Sequence, residues 1–237
     1  GVESNDKIFN HGVSGDLNGD GLDDLIISHY KNSIDDNANV GSTYVIFGTE
    51  ENVGASLDLN QKPTPNILEI EGTNANDQLG FQMAVVGDIN GDGYEDLAIT
   101  AKYSDVNGSN SGATYIIFGT SDLQELDTLE VSDLDGSDGF VIGGIGTNNF
   151  LTSVNKAGDV NGDGYDDIIM GAPIAAPNGA ASGESYVVFG DPTLGTSGTF
   201  LLNNLNGSNG FSIAGEHTLD RSGRTVDTVG DINGDGF

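Results

Sequence analysis

Three stretches of the chain place oxygen donors at alternating positions: "GDLNGDGLDD" from Gly15, "GDINGDGYED" from Gly87 and "GDVNGDGYDD" from Gly158. Counted from the first aspartate, positions 1, 3, 5 and 9 of the first copy are Asp16, Asn18, Asp20 and Asp24, with Leu22 at position 7. The second copy sets Asp88, Asn90, Asp92, Tyr94 and Asp96 in those places, and the third sets Asp159, Asn161, Asp163, Tyr165 and Asp167. A curled chain gathers alternate side chains around one point, and the glycine at position 6 permits the bend. Position 7 offers its backbone carbonyl, which explains why it varies between Leu and Tyr. Hard oxygens from a flexible loop suit calcium at six or seven coordination, whereas magnesium keeps its waters in strict octahedra and zinc prefers imidazole or thiolate. The expectation is three complete calcium sites. A fourth copy, "GDINGDGF" from Gly230, supplies Asp231, Asn233 and Asp235 without a position 9 ligand, so it reads as a partial site.

Other chemistries fit these acids less well. A helix-loop-helix calcium hand needs a bidentate Glu at position 12, where this chain has Ile27, Ile99 and Met170 inside apolar runs. A glycosidase needs one pair of carboxylates flanking a bond, not the same set in every repeat. His11, His29 and His217 are scattered, no serine sits in a G-x-S-x-G elbow, and no phosphate loop ends in G-K-S/T. The reading is non-enzymatic. Like charges a few ångströms apart repel by about 1 kcal/mol per pair even in water. Calcium at about 100 times its dissociation constant would instead add roughly 2.7 kcal/mol per site. The predicted role of the ions is therefore structural.

The elements that hold these loops repeat with them. The first aspartates, Asp16, Asp88, Asp159 and Asp231, are separated by 72, 71 and 72 residues. "YVIFG" at 44–48, "YIIFG" at 115–119 and "YVVFG" at 186–190 keep the same beat, as do "GSDGFVIGG" at 136–144 and "GSNGFSIAG" at 207–215, with a weaker counterpart in "NILEIEG" at 66–72. In the second unit, short apolar runs bounded by Gly, Asn, Asp and Ser predict strands near 82–86, 97–101, 114–118 and 139–143. Four antiparallel strands per repeat make one propeller blade, and the apolar faces of a blade need neighbours. The fold expected is all-β: one repeat array over 1–237, with units at 8–79, 80–150 and 151–222 and a partial unit at 223–237. It forms an incomplete or open propeller. The repeated aromatics of the "YVIFG" strands read as packing between blades, with sugar stacking as the competing use.

Composition narrows the partners. The 237 residues carry 37 acidic and 7 basic side chains, a formal charge of −30. Such a surface repels phosphate backbones and anionic lipid, so nucleic acid and membrane insertion are not expected. No apolar run approaches the roughly 18 residues of a membrane helix. There is no cysteine, so disulfides and thiolate metal sites are excluded. Asn107 and Asn206 begin N-glycosylation triplets.

The loop and the strand after it resemble the FG-GAP repeat, the unit of the integrin alpha-chain β-propeller and of many bacterial extracellular proteins. "GDVNGDGYDDIIMGAP" at 158–173 carries the pattern best; "SHY" at 28–30 and "AKY" at 101–103 replace the Gly-Ala-Pro, and the leading Phe-Gly is reduced to "LGF" at 79–81. The resemblance implies that each loop joins the first two strands of a blade, on the face opposite the usual ligand surface. Loops 101–113, 144–150 and 172–184 are then the ligand-facing candidates. It further implies an extracellular or cell-surface module in adhesion or scaffolding, with a protein or matrix ligand. The alternatives are a calcium-dependent carbohydrate-binding propeller and the subunit of a self-assembling filament joined through open blade edges. Seven blades close an integrin-like propeller, so this chain is expected to be a fragment of a longer protein.

Overall fold

The computed structural model describes residues 9–34, 37–50, 59 and 66–228. Fourteen strands form three sheets among these residues. In the first, β1 (Phe9–Gly15), β2 (Asp24–His29), β3 (Ser42–Ile46) and β4 (Ile67–Glu71) run antiparallel in chain order. The second repeats this with β5 (Leu79–Gly87), β6 (Asp96–Ala101), β7 (Ala113–Ile117) and, after the short β8 (Thr128–Glu130), β9 (Gly139–Gly143). The third consists of β10 (Ser153–Gly158), β11 (Asp167–Ala172), β12 (Glu184–Val188) and, beyond the short β13 (Thr199–Leu201), β14 (Gly210–Ala214). These are propeller-type blades in an all-β chain. The strands read from the second unit's sequence fall within three residues of β5, β6, β7 and β9.

Two strands do not stay with their own blade. β8 lies between β7 and β9 in sequence but pairs in parallel with β4 of the first blade, setting Leu129 opposite Ile70. β13 likewise pairs in parallel with β9 of the second blade, with Phe200 opposite Ile142. In the second and third blades the connection before the last strand thus adds a fifth strand to the preceding sheet. No four-strand reading of the repeat includes this exchange.

The core is built between blades. Alternate side chains of β6 point to opposite faces: Leu97 and Ile99 join a cluster with Ile26, Val45, Leu68 and Ile70 of the first blade. Ala98 joins another with Val154, Ile168, Met170 and Tyr186 of the third. β7 divides in the same way, Tyr115 and Ile117 facing one cluster and Ile116 the other. The middle blade is covered on both faces, so every residue of β6 and β7 is buried and neither strand alternates polar with apolar. By contrast, β14 is exposed at four of its five residues, Phe211 and Ile213 among them.

At one end of the blades, the chain between the second and third strands is joined to the segment leading into the next blade. Asn76, Gln78 and Leu79 donate backbone N–H groups to the carbonyls of Ala38, Asn39 and Val40. Asn148, Phe150 and Leu151 do the same toward Ser109, Asn110 and Ser111, and Leu219, Arg221 and Ser222 toward Ala180, Ala181 and Ser182. Loops 101–113 and 144–150, both assigned by resemblance to the ligand side, are thus stitched to each other. Lys102 extends over the rings of Phe81 and Tyr103, 4.8 and 4.9 Å from their centroids.

Candidate metal centres

The acidic loops occupy the other end, between the first two strands of each blade: residues 16–23, 88–95 and 159–166. Each is tied by its own hydrogen bonds. Asp88 accepts the Asp92 N–H on Oδ1 (3.1 Å) and the Gly93 N–H on Oδ2 (2.9 Å). Asn90 Oδ1 accepts the Asp92 N–H at 2.9 Å, and Asp92 Oδ1 accepts the Tyr94 N–H at 2.9 Å. The same bonds recur around Asp16, Asn18 and Asp20 and around Asp159, Asn161 and Asp163. Positions 1, 3 and 5 therefore share one side of a tight turn in all three copies. Asp231, Asn233 and Asp235 lie outside the described residues.

Position 9 is the anchor. Asp24, Asp96 and Asp167 are each 0% exposed. One oxygen of each accepts the N–H of position 2: Leu17 at 2.9 Å, Ile89 at 2.9 Å and Val160 at 2.7 Å. The other accepts the N–H of the glycine that ends the "YVIFG"-type strand, Gly48, Gly119 or Gly190, at 2.9 Å each. The Phe-Gly pair thus closes the acidic loop of its own blade. A Cβ on Gly119 would collide with the Glu95 carbonyl, so the approach requires glycine.

Burial pushes the Asp96 carboxyl up to about 7 and the Asp167 carboxyl up to about 6, and moves Asp24 in the same direction. Their two backbone donors oppose the rise, while the charges at positions 1 and 5 add to it. A buried carboxylate facing two more acids, with only neutral donors of its own, is an environment that a cation relieves. Among the described residues no three His, Cys, Asp or Glu side chains form a metal cluster by themselves. The donor set predicted from the loop is mixed, with an amide oxygen and a backbone carbonyl beside three carboxylates, and that set fits calcium.

Two features escaped the sequence reading. Position 7 contributes more than a carbonyl: a Cβ built on Gly19 would stand 2.6 Å from the Tyr94 ring, and one on Gly91 would meet the Tyr165 ring. Each tyrosine thus lies on position 4 of the preceding blade's loop. Position 8 reaches back as well, Glu95 to the first loop and Asp166 to the second. Acids in an acid-rich loop gave no signal for this. Of the histidines, His29 is buried in β2, and exposed His217 lies beside Asp220 at 3.6 Å. Asn107 donates its Nδ2 to Gly144 O and to Asn203 Oδ1, which engages the nitrogen a glycan would need.

The FG-GAP repeat model matches residues 80–117 and 151–188, each running from the start of a blade through its acidic loop to the third strand. The chain carries two FG-GAP repeats. Among relatives of this FG-GAP chain is integrin alpha-PS5 of Drosophila melanogaster, 30% identical over 161 residues, which cover 68% of the chain and 14% of the integrin. Integrin alpha-6 of Homo sapiens is 29% identical over 165 residues, 69% of the chain and 13% of the integrin. Phosphatidylinositol-glycan-specific phospholipase D of Bos taurus is 33% identical over 173 residues, 72% of the chain and 19% of that protein. The FG-GAP chain thus spans less than a fifth of the length of each. No helix among its described residues is long and apolar enough to cross a membrane.

Proposed function

We propose that the chain is a non-enzymatic, calcium-stabilised β-propeller segment of an extracellular or cell-surface protein, acting in adhesion or as a scaffold. The observation that carries this reading is the clamp repeated in all three blades. Positions 1, 3 and 5 are held on one side of a turn, and a buried aspartate at position 9 locks that turn to the Phe-Gly of its blade. Asp16, Asn18, Asp20, Asp24 and the Leu22 carbonyl would hold the first ion, with the matching sets in the second and third loops. Calcium supplies the positive charge that lets three carboxylates converge. Loops of modest affinity fill at extracellular calcium levels, which supports the location.

The integrin relatives favour a protein or matrix ligand. The phospholipase D relatives favour a second arrangement, in which such an array accompanies a catalytic domain elsewhere in a longer chain. Calorimetric titration of the calcium-stripped chain should show saturable binding of about three ions, the stoichiometry of the complete loops. Absence of calcium uptake overturns the reading. Glycan-array and sizing measurements with calcium then separate the classes: specific sugar capture by a monomer selects the carbohydrate-binding alternative, and ordered multimers select the filament.

A further inference from the structure

Position 8 holds an acid in every complete loop yet belongs to no ligand set. Glu95 Oε2 accepts the backbone N–H of Asp16 at 3.0 Å, and Asp166 Oδ2 accepts that of Asp88 at 3.1 Å. In both cases the donor is residue 1 of the preceding loop, whose side chain is the first oxygen donor there. The neighbouring tyrosine at position 7 covers position 4 of the same preceding loop. Two consecutive residues of one loop thus grip the turn of the loop before it.

Building on the calcium reading, we propose that Glu95 and Asp166 are positioning residues that couple adjacent calcium loops. Residue 8 lies between the carbonyl donor at 7 and the closing carboxylate at 9, so ligation of its own loop fixes the backbone on both sides of it. Its carboxylate is then held against the amide of residue 1 in the preceding blade, and that turn is formed before its ion arrives. Linkage makes the effect mutual: loading either loop raises the affinity of the other. The second junction has two further contacts, of which one is the Asp166 N–H donated to the Asp88 carbonyl at 3.1 Å and the other a cation. At the second, Lys156 Nζ sits 2.8 Å from Asp166 Oδ2. At the first, Val85 flanks Glu95 beside Gly15, so Glu95 is the cleaner residue to test.

The position 6 glycines make the test site-specific. The N–H groups of Gly21, Gly93 and Gly164 bond to the first aspartate of their own loops at 2.8, 2.9 and 2.9 Å, so their NMR amide signals report each loop during a calcium titration of the full chain. Weakening the second loop by Asp92→Asn should raise the calcium midpoint of Gly21 by about fivefold or more, the lower range of site-to-site coupling. Glu95→Ala should raise the Gly21 midpoint similarly and remove its response to Asp92→Asn, while Glu95→Gln, which keeps an acceptor oxygen, restores most of both. A role confined to local structure would shift Gly21 in Glu95→Ala but leave the response to Asp92→Asn intact, and that result overturns the proposal. So does a Gly21 midpoint indifferent to Asp92→Asn in the unaltered chain. Should calcium move none of the three glycines, the calcium reading fails first.

Discussion

The two ends of the blades are joined by different kinds of bond. At the loop end the links between blades run mainly through side chains, carboxylates at position 8 and rings at position 7, beside one backbone bond from the Asp166 N–H to the Asp88 carbonyl, while buried aspartates fasten each turn to its own sheet. At the opposite end they are chiefly backbone N–H to carbonyl bonds, repeated at all three turns with residues that match only in part, and joined at two of them by an Asn–Asn side-chain bond. Asn39, Asn110 and Ala181 hold corresponding places there, each with positive φ. A backbone bond asks only for a chain path, so this end depends less on side-chain identity, except where φ is positive or the chains approach closely. The loop end gathers many acids, and on the calcium reading proposed above a cation holds them together.

Removing calcium should divide the ends most sharply. With three sites each contributing roughly 2.7 kcal/mol, chelation should lower the unfolding temperature by on the order of 15–30 °C. Hydrogen exchange should then accelerate at Gly21, Gly93 and Gly164 well before Gln78, Phe150 and Arg221. Simultaneous loss of protection at both ends would break the comparison. Next in size is Asp96→Ala, which strands the buried N–H groups of Ile89 and Gly119 and removes a ligand; denaturant unfolding in saturating calcium should show a loss of about 3–5 kcal/mol.

Gly112→Ala probes the opposite end. Its φ is +76°, and a Cβ there would run into the Leu151 backbone. A loss of about 2–3 kcal/mol is expected, equal with and without calcium, because the strain lies in the backbone seam. A calcium-dependent loss would show that the ends are not separate.

The smallest effect belongs to Asp77, also at this end. Burial raises its carboxyl above the ordinary value, Asp105 adds to the rise, and a hydrogen bond from Asn74 opposes it. Because the folded chain takes up this proton at a higher pH than the unfolded one, Asp77 favours folding more as pH falls toward 3.8 and less above its raised value. Asp77→Asn should therefore stabilise the chain at pH 7.5 by no more than about 1 kcal/mol, with the gain shrinking toward pH 4. Paired denaturation curves would measure the difference, and a gain that grows on acidification would reverse the assignment.

Much of the fold was legible in the sequence because the repeat restates its pattern. Three copies of the acidic loop and of the "YVIFG" run located the first three strands of each blade, and the turn geometry of positions 1, 3 and 5 follows from their spacing. The inter-blade pieces were not legible. β8 is three residues long, too short for periodicity, and its partner lies in another unit. Glu95 and Asp166 sit among acids that already had an explanation, and Tyr94 was read as indifferent because Leu22 takes its place in the first copy. Periodicity within a unit shows which face is apolar; it does not show which neighbour that face meets.

The strand exchange through β8 and β13 bears on how such an array can lengthen in evolution. The second and third units each carry the short strand that covers the outer edge of the unit before. Duplicating or deleting one whole unit leaves every remaining seam complete, whereas a gene break at the repeat border strips a strand from the blade before it.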